Sequence, residues 1–321
     1  MLLEIALYSC NYLFMPDKPL FYSYSKYLHN KYGTKVYRIA VDGGFSCPNR
    51  GKDRTNPGCI YCSAQGSRAS YLDKAAAIEE QISRGIAFTR RRYKAEIFLL
   101  YFQAYSNTFD TVENLKKTYD FALSLHPFRE LIVATRPDCI DEAKADLLAS
   151  YIKPDFDVWV ELGLQSANDR TLERINRGHT AAQYKEAFDI LHSRGIKVAT
   201  HLILGLPDES WEDMATSIDF VNMLRPEAIK LHDLNITYNT ELYDEYLKGE
   251  TTVPSREKYL EYLIKCLEIL RDDIIIMRTT CDTYEKDRVA PRFYLKKGNF
   301  IDTLLRQMTE LQTYQGRCYQ D

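Results

Sequence analysis

Three cysteines near the start of the chain, Cys47, Cys59 and Cys62, form a C-x11-C-x2-C pattern within VDGGFSCPNRGKDRTNPGCIYC. Thiolates are soft ligands that select zinc, copper(I) or iron–sulfur clusters. A structural zinc is usually closed by four ligands, and this loop supplies three. An iron–sulfur cube held by three cysteines would leave one iron open to a further ligand. Spacing alone therefore leaves two main readings open. One is a zinc loop closed by a residue elsewhere, such as Cys10, His29 or Cys281. The other is a three-cysteine cluster, and ordinary core thiols are the remaining case.

The rest of the chain narrows the setting. Its 321 residues include 8 cysteines, too sparse for a disulfide scaffold, and Cys10, Cys139, Cys266 and Cys318 show no second cluster spacing. A tight thiol cluster in a reducing cytosol reads as metal-binding or catalytic. Lys and Arg number 42 against 45 Asp and Glu, a net charge of −3, which disfavours a histone-like or ribosomal role. Hydrophobic residues at 45% can build a sizeable core, and 14 Gly with 11 Pro exclude low-complexity disorder. No run reaches the roughly 18 apolar residues of a membrane span. The N-terminus MLLEIALYSCNYLFM lacks an early cation and a cleavage site, so a cytoplasmic protein without membrane attachment is expected.

Strands alternate with helices around the cysteine loop. Strand patterns fall at Val36–Val41, Glu96–Phe102, Glu130–Thr135, Phe156–Leu162, Ile196–Leu204 and Ala228–His232. Helical patterns fall at Leu72–Arg92, Thr111–Leu125, Asp141–Ile152, Asn168–Asn176, Ala181–Arg194 and Trp211–Leu224. Near-continuous apolar strands joined by crossover helices imply a parallel sheet. The fold class is α/β: six units predict a partial (β/α)6 TIM-type barrel with a helix-rich C-terminal extension. In that extension Glu241–Lys248, Ser255–Arg271 and Phe300–Gln312 read as helices and Ile274–Arg278 as strand-like. The expected organisation is an N-terminal extension over 1–26, a core over 27–270 and a C-terminal extension over 271–321 that could recognise substrate.

Sites in parallel α/β architectures lie beyond the carboxyl ends of the strands. Those ends carry Asp42-Gly43-Gly44 and the cysteine loop, Gln103–Asn107, Arg136-Pro137-Asp138, Glu161 with Gln165 and Ser166, His201 with Gly205-Leu206-Pro207, and His232-Asp233.

Several segments in order carry a family resemblance: YLHNKYGTKVYRIAVDGGFSCPNR, GCIYC, YFQAYSNT, TRPDCI, WVELGLQS, RTLERINRGH, GIKVATHLILGLPDE and IKLHDLN. From Tyr27 to about Lys230 the chain resembles the radical S-adenosylmethionine (SAM) superfamily. It looks most like the YtqA/YhcC-type group, relatives of the elongator-type tRNA-modifying enzymes. The resemblance implies that Cys47, Cys59 and Cys62 each bind one iron of a [4Fe-4S] cluster whose fourth iron takes SAM. Reductive cleavage of SAM would then give a 5′-deoxyadenosyl radical, with the electron supplied by a low-potential donor of flavodoxin or ferredoxin type.

By the same resemblance, Tyr61 matches an aromatic that lies against adenine; ordinary packing is its alternative. Gln103 stands where many relatives have a glycine-rich segment that receives the SAM amino group, and this chain has no glycine there. Gln165 and, twelve residues later, Arg177 match a Gln/Arg pair that contacts SAM in related coproporphyrinogen oxidases. A guanidinium suits the methionyl carboxylate because it can grip it with two parallel hydrogen bonds; a helix-end cation is the alternative. His201 occupies a position beside the SAM ribose, against a structural strand-end role. Gly205-Leu206-Pro207 resembles a segment that supports adenine.

The resemblance also implies tRNA as the substrate, at the C5 side chain of a wobble uridine, and not DNA. A small metabolite, a protein side chain, or a zinc-stabilised RNA-binding role without catalysis are the alternatives. Two basic, aromatic-interleaved stretches could contact RNA: Arg84 with Arg90–Lys94, and Lys286–Arg288 with Arg292–Lys297. An acetyltransferase domain like that of elongator-type enzymes is not expected, and an acetyl-CoA-dependent reaction is disfavoured. Met15 makes a plausible native start, so Met1–Phe14 is expected to be dispensable.

Overall fold

Six apolar runs that follow the expected pattern form strands β1 (Val36–Val41), β2 (Ile97–Phe102), β3 (Glu130–Thr135), β4 (Asp157–Gln165), β5 (Lys197–Leu204) and β6 (Ala228–Asp233). The computed structural model describes residues 19–63, 77–281, 283, 286–292 and 297–320. A short strand β7 (Ile236–Thr237) follows, then β8 (Ile275–Arg278) and β9 (Arg288–Ala290). β1 to β6 and β8 make one seven-stranded sheet in the order β1-β2-β3-β4-β5-β6-β8. All of its pairings are parallel, and it curls into a half-barrel. β7 and β9 pair antiparallel in a separate ribbon.

The helices are α1 (Tyr24–Tyr32), α2 (Ile78–Tyr93), α3 (Val112–Ser124), α4 (Glu142–Ala149), α5 (Asp169–Arg174), α6 (Ala181–His192), α7 (Trp211–Leu224), α8 (Glu241–Lys248), α9 (Arg256–Ile269) and α10 (Lys297–Glu310). Local chemistry sets their ends. Thr180 and Ser210 form capping boxes with Gln183 and Asp213 at the starts of α6 and α7, satisfying backbone donors that the helices leave free.

Two features differ from the sequence expectation. The sheet has a seventh parallel strand, because the strand-like 274–278 stretch returns beside β6, with Ala228 opposite Ile275. The crossover before it passes through α8 and α9, so the regular strand–helix spacing disappears there although the sheet continues. The second is α1, which runs across residue 27 and covers the N-terminal end of the barrel. Ser23 caps its start and Gly33, at φ 69°, ends it in the left-handed region. Lys31 reaches Glu130 and Asp157 at 2.5 Å each, and Tyr32 donates to Glu130 at 2.7 Å, tying α1 to the first residues of β3 and β4.

Alternation along the strands divides the core in two. Outward residues such as Ile39, Phe98, Leu131, Val160, Val198 and Ile229 pack under the helices. Inward residues Ala40, Leu99, Ile132, Trp159, Ala199 and Ala228 pack against Tyr24 and Leu28 of α1. The inward face therefore closes at one end and becomes polar toward the other.

The expectations for residues 1–14, Met15, Cys10, the start of the helix at 72–76 and the 293–296 part of the second basic stretch lie outside the described residues. No helix among the described residues is long and apolar enough to cross a membrane.

Candidate active site

The cysteine loop leaves the carboxyl end of β1 and folds back on itself. Cys47 has extended backbone and precedes one tight turn over Pro48–Arg50. Cys59 and Cys62 share a second turn, with the Cys62 amide donating to the Cys59 carbonyl at 2.9 Å. Arg50 ties the arms together by donating to the carbonyls of Cys62 and Ser63, the latter at 2.9 Å. Gly58 makes room for this guanidinium: its φ is 83°, and a Cβ there would lie 3.1 Å from Arg50 Nε. The loop is sewn to the turn after α5, where Asn176 Nδ2 donates to the Gly58 carbonyl at 2.8 Å and the Ile60 amide to the Ile175 carbonyl at 3.2 Å.

The electrostatics around the sulfurs are uneven. Burial pushes the Cys59 thiol up, but the guanidinium charges of Arg177 and Arg136 and hydrogen bonds from Arg177 and Asn49 outweigh it, and the thiol is held below its usual range. Burial pushes Cys62 up, and the charges of Cys59 and Cys47 push the same way against Arg50. The three thiols thus act within one field. Among the described residues there is no preassembled set of three or more His, Cys, Asp or Glu side chains closed around a metal position. The donor set itself fits a thiolate-held iron–sulfur cluster. Arg177 and Arg136 stand at the Cys59 sulfur and Arg50 at Cys62, and these guanidinium groups offset the negative charge that thiolate ligation brings.

The other candidates take distinct places. Gln165 ends β4 at φ 75°, just past an irregularity in the β4–β5 register. Arg177 follows α5, donates to the Gly163 carbonyl at 2.8 Å and to His179 Nε2 at 2.9 Å, and turns Nη1 toward Cys59. Burial and then the charges of Arg177 and Arg136 push His179 down to about 3, so it accepts as a neutral ring. Arg177, Gln165 and Cys59 therefore lie together. Tyr61 packs on an apolar cluster with Ile60, Leu172, Ile203 and Leu206. Gln103 follows β2, its amide donating to the Val41 carbonyl at 3.2 Å. His201 faces the barrel interior with Nε2 3.3 Å from Glu161 Oε2, without hydrogen-bond geometry. Its ring centroid lies 5.4 Å from that of His232. Burial and Lys230 push His201 down to about 4, so it is neutral at pH 7.

Beneath His201 lies a network that motif spacing did not assign. Glu161 accepts from Arg38 at 2.7 Å, from Tyr101 at 2.5 Å and from Lys230. The signal was present in the sequence: Arg38, Glu161 and Lys230 interrupt apolar strands at inward positions of the two-residue alternation. Of the other donors at Cys59, Arg136 stood among the polar residues at the strand ends, whereas Asn49 carried no such signal. The first basic stretch lies away from the loop. Arg90–Lys94 end α2 just before β2 begins, at the opposite end of the strands, and Arg84 pairs with Glu80 on the same helix.

Glu209 supports the Gln165 turn from behind. Its carboxylate accepts from Ser166 at 2.5 Å, while Ser217 Oγ accepts from the Ala167 amide at 2.9 Å. Burial raises its carboxyl to about 7, against hydrogen bonds from Ser166 and Thr171. A raised folded value gives stability that is full below the unfolded value near 4.5 and is lost as pH climbs through about 7. Wild-type protein is expected to lose about 3 kcal/mol between pH 4.5 and pH 8 from this group. Glu209→Gln, which keeps an acceptor for Ser166, should remove that slope. Urea unfolding of both proteins at pH 5 and pH 8 measures it, and identical slopes would refute the assignment.

A parallel half-barrel with a cysteine loop at the carboxyl end of its first strand is the architecture of radical SAM enzymes. The family model for the radical SAM superfamily matches residues 50–221, and one for the Radical SAM C-terminal domain matches residues 226–310. The chain belongs to the radical SAM superfamily and is a radical SAM enzyme; membership implies a [4Fe-4S] cluster, SAM and an electron donor. It is similar to protein YhcC of Escherichia coli, with 35% identity over 286 residues covering 88% of this chain and 90% of the relative. A shorter likeness, 29% over 140 residues, joins 41% of this chain to 25% of a tRNA uridine(34) acetyltransferase of Methanocaldococcus infernus. The fold is shared with the solved Elp3 of M. infernus with an N-terminal deletion, at a TM-score of 0.68 and 18% identity. That likeness covers 88% of this chain and 64% of the Elp3 chain.

Proposed function

We propose that this enzyme uses a cluster held by Cys47, Cys59 and Cys62 to cleave SAM and modify tRNA at the C5 side chain of a wobble uridine. The observation that carries the site assignment is the convergence of Cys59, Arg177, Gly163 and Gln165 at the carboxyl ends of β1 and β4. When bound, the cluster with SAM supplies a 5′-deoxyadenosyl radical.

The chain's own residues do the positioning. Arg177 is anchored by the Gly163 carbonyl and His179, leaving the Nη1 edge near Cys59 to orient the methionyl carboxylate. Gln165, held beyond the β4 irregularity, faces the same ligand. Tyr61 offers a ring against adenine beside the backbone of Gly205-Leu206, and Gln103 lines the end of β2. His201, neutral at pH 7, would hydrogen-bond the ribose without adding charge. Apolar packing around Tyr61 excludes water from the radical.

The tRNA assignment draws on the likeness to the M. infernus tRNA uridine(34) acetyltransferase. It draws also on Lys286–Arg288 and Arg292 of the second basic stretch, which flank β9 where it pairs with β7 just beyond the carboxyl end of β6. The test has two arms. Full-length protein, reconstituted without oxygen and supplied with SAM and a reductant, should release 5′-deoxyadenosine. A deletion strain should lose or alter one modified uridine in bulk tRNA under anaerobic or aerobic growth. An unchanged nucleoside profile with active SAM cleavage would overturn the tRNA assignment and leave a small metabolite or protein side chain as substrate.

Gly163 gives a sharper check on the SAM pocket. A Cβ there would lie 2.5 Å from Arg177 Nη2 and 2.6 Å from Gln165 Nε2, the tips of both proposed SAM contacts. Gly163→Ala is expected to weaken SAM binding at least about tenfold, the effect of losing one charge-assisted hydrogen bond. Equilibrium dialysis with labelled SAM reads the change. Unaltered affinity would place SAM elsewhere.

A further inference from the structure

Cys59 differs from the other loop cysteines in what surrounds its sulfur. Asn49 Nδ2 lies 3.4 Å from Sγ, Arg177 Nη1 3.8 Å and Arg136 Nη1 3.9 Å. These donors arrive from three segments: the cysteine loop, the turn after α5 and the turn after β3. Each is fixed by further bonds. The two N–H groups of Asn49 Nδ2 are shared between that sulfur and the carbonyls of Asn176 at 2.6 Å and Arg177 at 3.1 Å. Arg136 grips Asp138 through Nε at 2.8 Å and Nη2 at 2.9 Å, and Nη2 reaches the Arg177 carbonyl at 2.6 Å. Gly178 completes the collar: its φ is 76°, and a Cβ would lie 2.6 Å from Asn49 Oδ1. Cys62 Sγ, by contrast, faces the Ser63 carbonyl at 3.6 Å.

We propose that Arg136 and Asn49 are positioning residues that raise the reduction potential of the cluster by aiming N–H donors at the Cys59 sulfur. This rests on the three-cysteine cluster assigned above. In the reduction step the cluster gains one electron from a low-potential donor; no bond forms or breaks and no proton moves. The added negative charge spreads onto the thiolate sulfurs. Donors already aimed at one sulfur stabilise the reduced form more than the oxidised form, without reorganising. Arg136 brings its Nη1 edge to the sulfur while Asp138 offsets part of its charge on the far edge, and burial of the guanidinium limits screening of what remains by solvent.

The test is a redox titration of anaerobically reconstituted full-length protein, followed by electron paramagnetic resonance, with iron content measured in parallel. Arg136→Gln is expected to lower the ratio of reduced to oxidised cluster about tenfold at a fixed solution potential, a midpoint about 59 mV more negative. Asn49→Asp, which points a carboxylate at the sulfur, should shift the midpoint in the same direction. Arg136→Lys keeps the charge and should restore part of the loss. A purely structural role would reduce iron content without moving the midpoint of the cluster that remains. Wild-type midpoints in both Arg136→Gln and Asn49→Asp would overturn this inference alone. A wild-type protein that takes up no iron would overturn the cluster assignment and this inference with it. Should Arg136→Gln fail to fold, Asn49→Asp decides.

Discussion

Cys59→Ser protein, purified without oxygen and reconstituted with iron and sulfide, is expected to stay colourless and to release no 5′-deoxyadenosine from SAM. A serine hydroxyl does not ionise near neutral pH, so the substitution removes an anionic soft ligand while nearly preserving shape. The loss should be complete within detection, because a cluster short of one of three protein ligands has two anchors left. The fold should survive. Serine can still accept from Asn49, Arg136 and Arg177, and the loop is held independently by Arg50 and by the Asn176 and Ile60 bonds. Cys139→Ser is the matched control. Cys139 is also buried, but its burial and the neighbouring Asp138 push the thiol up to about 12, the character of a packing residue. Iron content and the visible spectrum should match wild type there. A brown Cys59→Ser protein with SAM cleavage intact would remove this sulfur from the site.

The second large effect concerns the fold. Glu161→Gln is expected to cost about 3–5 kcal/mol of stability at neutral pH and to lower the melting temperature by on the order of 10 °C. The carboxylate sits at the centre of the barrel interior with Arg38, Lys230 and Tyr101 pointing at it. Burial alone would raise its carboxyl, but Lys230, Arg38 and His201 hold it well below the usual carboxylate range. A depressed value gives stability that is present above the unfolded range and lost only as pH falls far below it. The full contribution is therefore in force at pH 7. Gln keeps the shape but leaves buried Lys230 and half-buried Arg38 without a counter-charge. Lys230→Met should cost less, because Glu161 keeps Arg38 and Tyr101. Thermal unfolding followed by circular dichroism ranks the pair. Equal or reversed losses would show that the interior charges are not organised around Glu161.

Local pattern accounts for most of what the sequence determined by itself. Strand alternation, helix caps and the cysteine spacing concern residues close along the chain, and hydrophobic periodicity depends on nothing more distant. β1, β3, α7 and α8 accordingly fall where the pattern places them. The inward charges at Arg38, Glu161 and Lys230 were visible as polar breaks in apolar strands.

Tertiary structure alone decided the rest. That β8 joins the sheet depends on the direction of a long crossover through α8 and α9. That α1 covers one end of the barrel depends on where β3 and β4 present Glu130 and Asp157. The same holds for the basic stretch at Arg90–Lys94, which strand direction carries to the end away from the cysteines. The collar at Cys59 is the clearest case. Asn49 meets the Arg177 carbonyl across 128 residues of sequence, and Arg136 meets Cys59 across 77. Hydrogen bonds between segments so far apart follow from strand order and register. Those are properties of the assembled sheet, because they are set by which strands lie side by side and not by any single stretch of chain.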